Sequence, residues 1–458
     1  MAKVTRREFV KAAAAGSGLA FLGSARVADA QVSGERPRQD PRVQVLNPRM
    51  RVPVSLIIDD STCLVNLNRF AIPQFAVAMD TGRYSHDWRK MPLEIPDSFV
   101  RKFGEWCGEQ GVKGKYSVVP YPACVGRLDR EIPGWTRKEL TDSIELVRTL
   151  MMPNWDIHPE MVTHTRVIDI KTGHPYPNYG PNWMENWRWT DGKSVDELTE
   201  YMVYALKILK NIGLPCEGIT TPGGFANRVL PELAQATLQS CRDVFQAEIP
   251  HYFRHLYTDD RSVAPRVEYA TGLDSDDPRC VVSIIGCTGD WTGGWDCSNR
   301  GQLDRFITPD LESGRMVDVI ERGEPAIIVC HWTGIHFNGE EVGFRIFQEV
   351  VRRLHARYDH LVWMKNSEIA RYWAAKELTT IETTAHRVKL GAPFATPAFT
   401  LRVPKLVSSP PTVTSNRTTT KLKQVATTTQ LEAGTFFQAT DQTVACFDLK
   451  KGQSLLTL

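Results

Sequence analysis

The sequence predicts an α/β fold built on a parallel sheet, with a small β-rich region behind it. Two observations carry this expectation. Eight short β-branched or apolar runs mostly alternate with amphipathic segments across residues 49–379, and the runs read as continuously apolar, as strands buried on both faces do. From about residue 380 helical periodicity stops and Thr and Val dominate.

The runs are "VPVSLII" (52–58), "KYSVVP" (115–120), "WDI" (155–157), "CEGIT" (216–220), "DVFQAEI" (243–249), "CVVSIIG" (280–286), "AIIVC" (326–330) and "HLVWM" (360–364). Between the first two, Phe99, Val100, Phe103, Trp106 and Cys107 recur at spacings of three and four, with Asp97 near the start of the helix and Gly111 at its stop. "SVDELTEYMVYALKILKNIG" repeats the design with Ser194 as N-cap, Glu197 as its capping-box partner and Gly213 just past the end. A third helix, "GEEVGFRIFQEVVRRLHARY", follows His331. Such a sheet is either doubly wound or closed into a barrel, and in a barrel the C-terminal strand ends make the active site.

The flanks read differently. "TRREFVK" sets a twin arginine ahead of "AAAAGSGLAFLG", a stretch too short and too rich in Ala and Gly to span a bilayer, and "ADA" supplies small residues for cleavage. Residues 1–30 therefore read as a Tat-type signal peptide. This predicts the Tat export machinery as a partner, a periplasmic or extracellular location, and no transmembrane segment in the mature chain. Residues 31–48, polar and rich in Arg and Pro, read as a linker or surface arm. Residues 49–379 form the main α/β unit, and residues 380–458 a small antiparallel β domain.

Composition narrows the partners. Among 458 residues, 55 Lys and Arg nearly cancel 53 Asp and Glu, giving a net charge of +2. With no basic block, nothing recommends nucleic acid or an anionic membrane, and a small or neutral substrate fits better. The ten cysteines lack CxxC spacing, which argues against a cysteine zinc site but leaves room for one or two disulfides.

Chemistry collects where the runs end. The first delivers Asp59 and Asp60 together; "WDIHPEMVTH" gives His158, Glu160 and His164; "GCTGDWTGGWD" gives Asp290 and Asp296; "IIVCHWTGIH" gives His331. Two histidines and one carboxylate from separate strand ends suit zinc or another divalent ion with positions left for water. Such an ion lowers the pKa of a water it binds from about 15.7 to roughly 7. A neighbouring carboxylate can take the remaining proton, and a histidine on the opposite wall can protonate a leaving group. Each residue also has a plainer reading. The Asp pair suits a helix N-cap or a turn, His158 and His164 suit loop histidines bonded to backbone, His331 suits a satisfied core histidine, and Asp290, a candidate metal ligand or a group that tunes a catalytic partner, suits a structural turn equally.

The order Asp-Asp, His cluster, Pro-Gly turn "TTPGG", Asp-Trp and apolar strand ending in His resembles the polysaccharide deacetylase family (NodB homology domain, carbohydrate esterase 4-like), over about residues 52–376. The resemblance implies a distorted (β/α) barrel of seven to eight parallel strands and metal-dependent hydrolysis. It implies Asp59 as base, Asp60, His158 and His164 as metal ligands, Zn2+ as the ion, and His331 as acid. Two departures stand out. The family's histidines are usually four residues apart, whereas His158 and His164 are six apart; Glu160 stands at the four-residue offset as an alternative ligand. The turn also lacks the family's Arg.

One segment bears on substrate. "HPYPNYGPNWMENWRW" (174–189) packs Tyr176, Tyr179, Trp183, Trp187 and Trp189 into an irregular stretch. Aromatic faces stack on sugar rings, so Trp183, Trp187 and Trp189, with Trp291 beside Asp290, are candidate substrate-binding residues. A loop that merely caps a hydrophobic rim is the other reading. The sequence thus predicts a deacetylase-type hydrolase acting on a carbohydrate or related small amide. The alternatives are a non-catalytic carbohydrate-binding protein on the same scaffold, or a glycosidase with two carboxylates about 5 to 9.5 Å apart and no metal.

Overall fold

The computed structural model of the chain describes residues 34–458 apart from positions 80, 81, 83 and 86. The expected signal peptide lies outside the described residues. Among those described, no helix is long and apolar enough to cross a membrane.

Beside a short pair, Ile168–Asp169 and His174–Pro175, nine strands form the two large sheets of the main unit: β1 (Val52–Asp59), β2 (Gly114–Ser117), β3 (Trp155–His158), β4 (Gly218–Thr220), β5 (His251–Leu256), β6 (Arg266–Thr271), β7 (Arg279–Gly286), β8 (Ala326–His331) and β9 (Leu361–Trp363). One runs β8-β1-β2-β3, all parallel, with β9 beside the start of β1; the other runs β4-β5-β7, parallel, with β6 antiparallel at its edge. The sheets meet at two seams, where Thr220 N–H donates to the Pro159 carbonyl (3.1 Å) and Cys287 N–H to the Ile327 carbonyl (2.8 Å). The ladder is not continuous at either seam, so the α/β architecture with parallel strands is present as two sheets rather than one closed barrel.

All eight residues of β1 are buried, which explains the unbroken apolar run. Their faces nonetheless differ, because side chains alternate along a strand. Val52, Val54, Leu56 and Ile58 pack in the large core under the helices. Ile57 instead joins Phe253, Ile284, Ile327 and Val329 in a second cluster, while Ser55 bonds Asn366 and Asp59 bonds Lys115.

The helices around these sheets are α1 (Leu67–Ala78), α2 (Asp97–Glu109), α3 (Arg137–Leu146), α4 (Val195–Asn211), α5 (Leu230–Phe245), α6 (Arg315–Glu321), α7 (Trp332–His336), α8 (Val342–Arg357) and α9 (Asn366–Leu378), of which α9 packs in the cluster that holds Ile57. Helix α4 begins with the predicted reciprocal capping box of Ser194 and Glu197, and Gly213 follows it at φ 73°. The run at 243–249 is a correction. Val244 and Phe245 belong to α5, Gln246 caps it at φ 56°, and the strand is the next segment, β5. A short apolar run does not by itself distinguish a buried helix end from a strand.

From Thr380 the chain is mainly strands, nine of them, which with Gln44–Val45 of the arm make two five-stranded sheets around Leu390, Phe399, Leu401, Phe436, Phe447 and Leu456. The arm at 34–48 is tied down along its length. Glu35 N–H bonds the Ala270 carbonyl (2.7 Å), Asp40 N–H bonds the Ile381 carbonyl (2.9 Å), and Gln44–Val45 pairs with Leu401 and Arg402. All ten cysteines are free, and most are buried, so the disulfides left open by the sequence are not formed.

Candidate metal centre and active site

Asp59 closes β1 and Asp60 turns at once into left-handed backbone (φ 61°), a conformation Asp tolerates better than most residues. The two adjacent carboxylates therefore meet different partners. Oδ1 of Asp60 lies 2.7 Å from Nε2 of His164, which is 3.3 Å from Oε1 of Glu160. The Asp60 N–H donates to Oε2 of Glu160 (2.8 Å). All three side chains are buried, and their ligand atoms fall within 4.8 Å of one another.

This donor set fits a divalent cation. Oδ1 of Asp60 is buried with the His164 imidazole nitrogen as its near partner, an ion pair while that ring is protonated and two adjacent ligand atoms once it is neutral. Two carboxylates buried together also demand a compensating positive charge. The same demand shows on His164: burial works against its charged form, yet Asp60 and Glu160 hold it well above the ordinary imidazole range. Burial likewise opposes ionisation of Glu160, but His164 outweighs it and draws the carboxyl down to about 2. The buried cluster could thus hold a metal ion.

Asp59 stands beside this cluster. Burial raises its carboxyl to about 6, against the pull of Lys115, a range suited to a base near neutral pH. Lys115 is fully buried and spends its donors on one Asp59 oxygen, the Ile58 carbonyl (2.9 Å) and Ser117 Oγ (2.8 Å). The parallel register of β8 on β1 sets His331 opposite Asp59. Nδ1 of His331 lies 3.0 Å from Oδ2 of Asp290. Burial lowers the histidine's pKa, but Asp290 first and Asp60 next raise it to about 10.

Asp59, Asp60, Glu160, His164 and His331 line one cavity of about 340 Å³. The rest of its wall is the aromatic group Phe75, Tyr84, Trp187 and Trp295 with Asn186, Thr221, Gly223 and Gly224. Phe75 lies 5.4 Å from Trp187 and 6.1 Å from Trp295, between ring centroids, and Tyr84 lies 5.3 Å from Phe75. A larger cavity of about 410 Å³ opens elsewhere, between Lys113, Glu217 and Thr396, and touches none of these groups.

Several expected site residues fall elsewhere. His158 is not beside Asp60. It ends β3 facing the sheet interior, with Nε2 2.9 Å from Nε2 of His251 and Nδ1 3.3 Å from Thr220 Oγ1. The chain leaves the strand at Pro159, and Glu160, bridged to Thr220, turns toward the cavity; the four-residue offset is thus the pair that meets. His158 forms a second buried cation-capable group with Asp156 and His251, although Asp156 already accepts two hydrogen bonds from Ser367. Of the four tryptophans expected at the site, Trp187 lines the cavity and Trp183, Trp189 and Trp291 do not. Trp183 packs on Tyr176 (5.0 Å), Trp189 on Tyr201 (4.3 Å), and Trp291 is buried on Phe306 (5.3 Å). Their apolar faces are consumed by local packing. Asp296 accepts the Ser298 N–H in a turn.

The sequence reading missed Lys115, Phe75, Tyr84, Asn186 and Trp295. Lys115 left a signal, as a charge inside an otherwise buried run. The others come from distant segments and carry no spacing that marks them.

No protein-family model and no curated protein sequence matches the chain. Among solved structures, a Parabacteroides distasonis protein named for a suspected glycoside hydrolase/deacetylase activity is 10% identical with a TM-score of 0.39, covering 79% of this chain and 82% of its own. A glycoside hydrolase is 9% identical at a TM-score of 0.32, covering 92% and 96%. A glycoside hydrolase family 30 subfamily 8 xylanase from Clostridium acetobutylicum is 9% identical at 0.28, covering 92% and 98%. Likenesses this shallow bear no weight, and the functional reading rests on the site itself.

Proposed function

We propose that the protein is a metal-dependent hydrolase of the deacetylase type, cleaving an acetyl or other non-peptide amide C–N bond on an N-acetylated sugar or related small amide. One observation supports this above all. A buried Asp60-Glu160-His164 cluster, its ligand atoms within 4.8 Å of one another, shares its cavity with a carboxyl poised near neutrality and a histidine held protonated.

In this reading Asp60, Glu160 and His164 hold the ion. Zinc is the expected one, since it accepts imidazole nitrogen and carboxylate oxygen alike. When bound, it supplies Lewis-acid polarisation of the substrate carbonyl and acidifies water. Asp59 takes the proton of the attacking water; Lys115 fixes one of its oxygens and leaves the other for that proton. His331, kept charged by Asp290, gives a proton to the departing nitrogen. Phe75, Trp187 and Trp295 offer ring faces for an apolar substrate surface. Export by the Tat machinery, resting on the twin arginine, places the reaction outside the cytoplasm.

The test is acetate release from N-acetylglucosamine oligomers and small N-acetyl amides by the zinc-loaded protein. Asp59→Asn should lower kcat by about 10²- to 10⁴-fold with zinc content intact. Wild-type turnover in that variant removes Asp59 from its role. Oligomer binding by the wild type without any acetate release would favour the non-catalytic binding protein.

A further inference from the structure

We propose that Glu185 is a positioning residue that sets the metal-binding geometry of His164 by clamping the loop that carries it. The inference rests on the metal reading above and extends it to a residue outside the cavity.

Glu185 is fully buried and forms no ion pair with Lys or Arg among the described residues. Its carboxylate instead gathers three successive backbone N–H groups of the ligand loop. Oε1 accepts from Val162 (3.2 Å) and Thr163 (3.1 Å), and Oε2 accepts from Thr163 (3.1 Å) and from His164 itself (2.6 Å). The Tyr201 hydroxyl of α4 donates to Oε1 (2.5 Å) from the far side. Away from a helix N-terminus, successive N–H groups converge on one anion where the backbone departs from regular structure to form a concave anion-binding turn. Here the departures are explicit: Met161 (φ 53°) and His164 (φ 63°) are both left-handed without being glycine. Such residues persist where surrounding contacts over-determine them.

The clamp closes from both ends. The Glu185 N–H donates to the Thr165 carbonyl (2.7 Å) and the Val167 N–H to the Trp183 carbonyl (3.0 Å). Next along the chain, Asn186 Nδ2 stands 3.5 Å from Nδ1 of His164. The segment around Trp183 and Trp187, noticed in the sequence for its aromatics, therefore holds the ligand loop through its one buried carboxylate. Both oxygens act as acceptors, so glutamine would turn an NH2 group against loop N–H donors.

Zinc titration of the metal-free protein with a competing chelator tests this. Glu185→Gln should retain the folded far-UV spectrum and weaken zinc binding by about 10- to 100-fold, as loss of a supporting contact behind a metal ligand does. Tyr201→Phe removes one donor to the carboxylate and the acceptor of the Ile168 N–H while sparing the Glu185 bonds to Val162, Thr163 and His164, and should weaken zinc several-fold less than that. Wild-type zinc affinity in a folded Glu185→Gln protein, even with a lowered Tm, would make Glu185 a packing residue and overturn the proposal. Should Glu185→Gln fail to fold, Tyr201→Phe decides, and unchanged affinity there overturns it. A wild-type protein that binds no zinc sinks the metal reading itself, which separates that failure from a failure of Glu185 alone.

Discussion

His331 and Asp290 show what one contact does to an acid. Held up to about 10 by Asp290, the imidazole stays protonated through the neutral range, and activity that needs its proton falls only as pH rises past that value. Asp290→Asn removes the leading cause of the rise, so the alkaline limb of the kcat profile should move toward neutral pH; an unmoved limb would exclude His331 as the acid. Lys115 makes a complementary point. Removing one partner of a buried ion pair leaves the other uncompensated, so Lys115→Met should cost about 3 kcal/mol in urea unfolding. The residues at the strand ends were visible in the sequence because strand ends expose polar groups in a recognisable pattern. Lys115 was passed over because its charge is neutralised by Asp59, 56 positions away, and no local pattern reports that pairing.

At the scale of elements, the helices were the most legible, because capping chemistry and apolar spacing are local. Ser194 and Glu197 bond as their spacing predicts, and Ser194→Ala should lower stability by about 1 kcal/mol, readable as a shift in the urea midpoint. The ligand loop was less legible. The choice between His158 and Glu160 depends on where β3 lets go of the sheet, and a Pro159 exit with a Glu160–Thr220 bridge is a tertiary event. The turn "TTPGG" carries a related constraint. A Cβ at Gly224 would sit 2.9 Å from the Asn186 carbonyl oxygen, whose hydrogen bond from the Gly224 N–H is 2.5 Å. Gly224→Ala should therefore displace Asn186 from His164 and weaken zinc binding; a variant with wild-type affinity would uncouple the turn from the site.

Across the whole molecule, the α/β alternation and the strand-rich end were read correctly from periodicity, whereas the division into two sheets was not. That division depends on single hydrogen bonds at the seams, which no run of residues encodes. The site sits where both sheets contribute: Asp59, Asp60 and His331 come from one, and Thr221 and Gly223, beyond β4, from the other. An ion bound there ties distant segments together, so binding should be read in global stability. At a free zinc concentration about 100 times Kd, the folded state gains about 2.7 kcal/mol, and a chelator should lower Tm accordingly. Metal content of the purified mature protein, by inductively coupled plasma mass spectrometry with wild type beside His164→Ala, bears on the central claim most directly. The account predicts about one equivalent of zinc or a similar divalent metal in the wild type, lost in the variant along with its ligand. Wild-type protein that remains metal-free after growth with added zinc would contradict it.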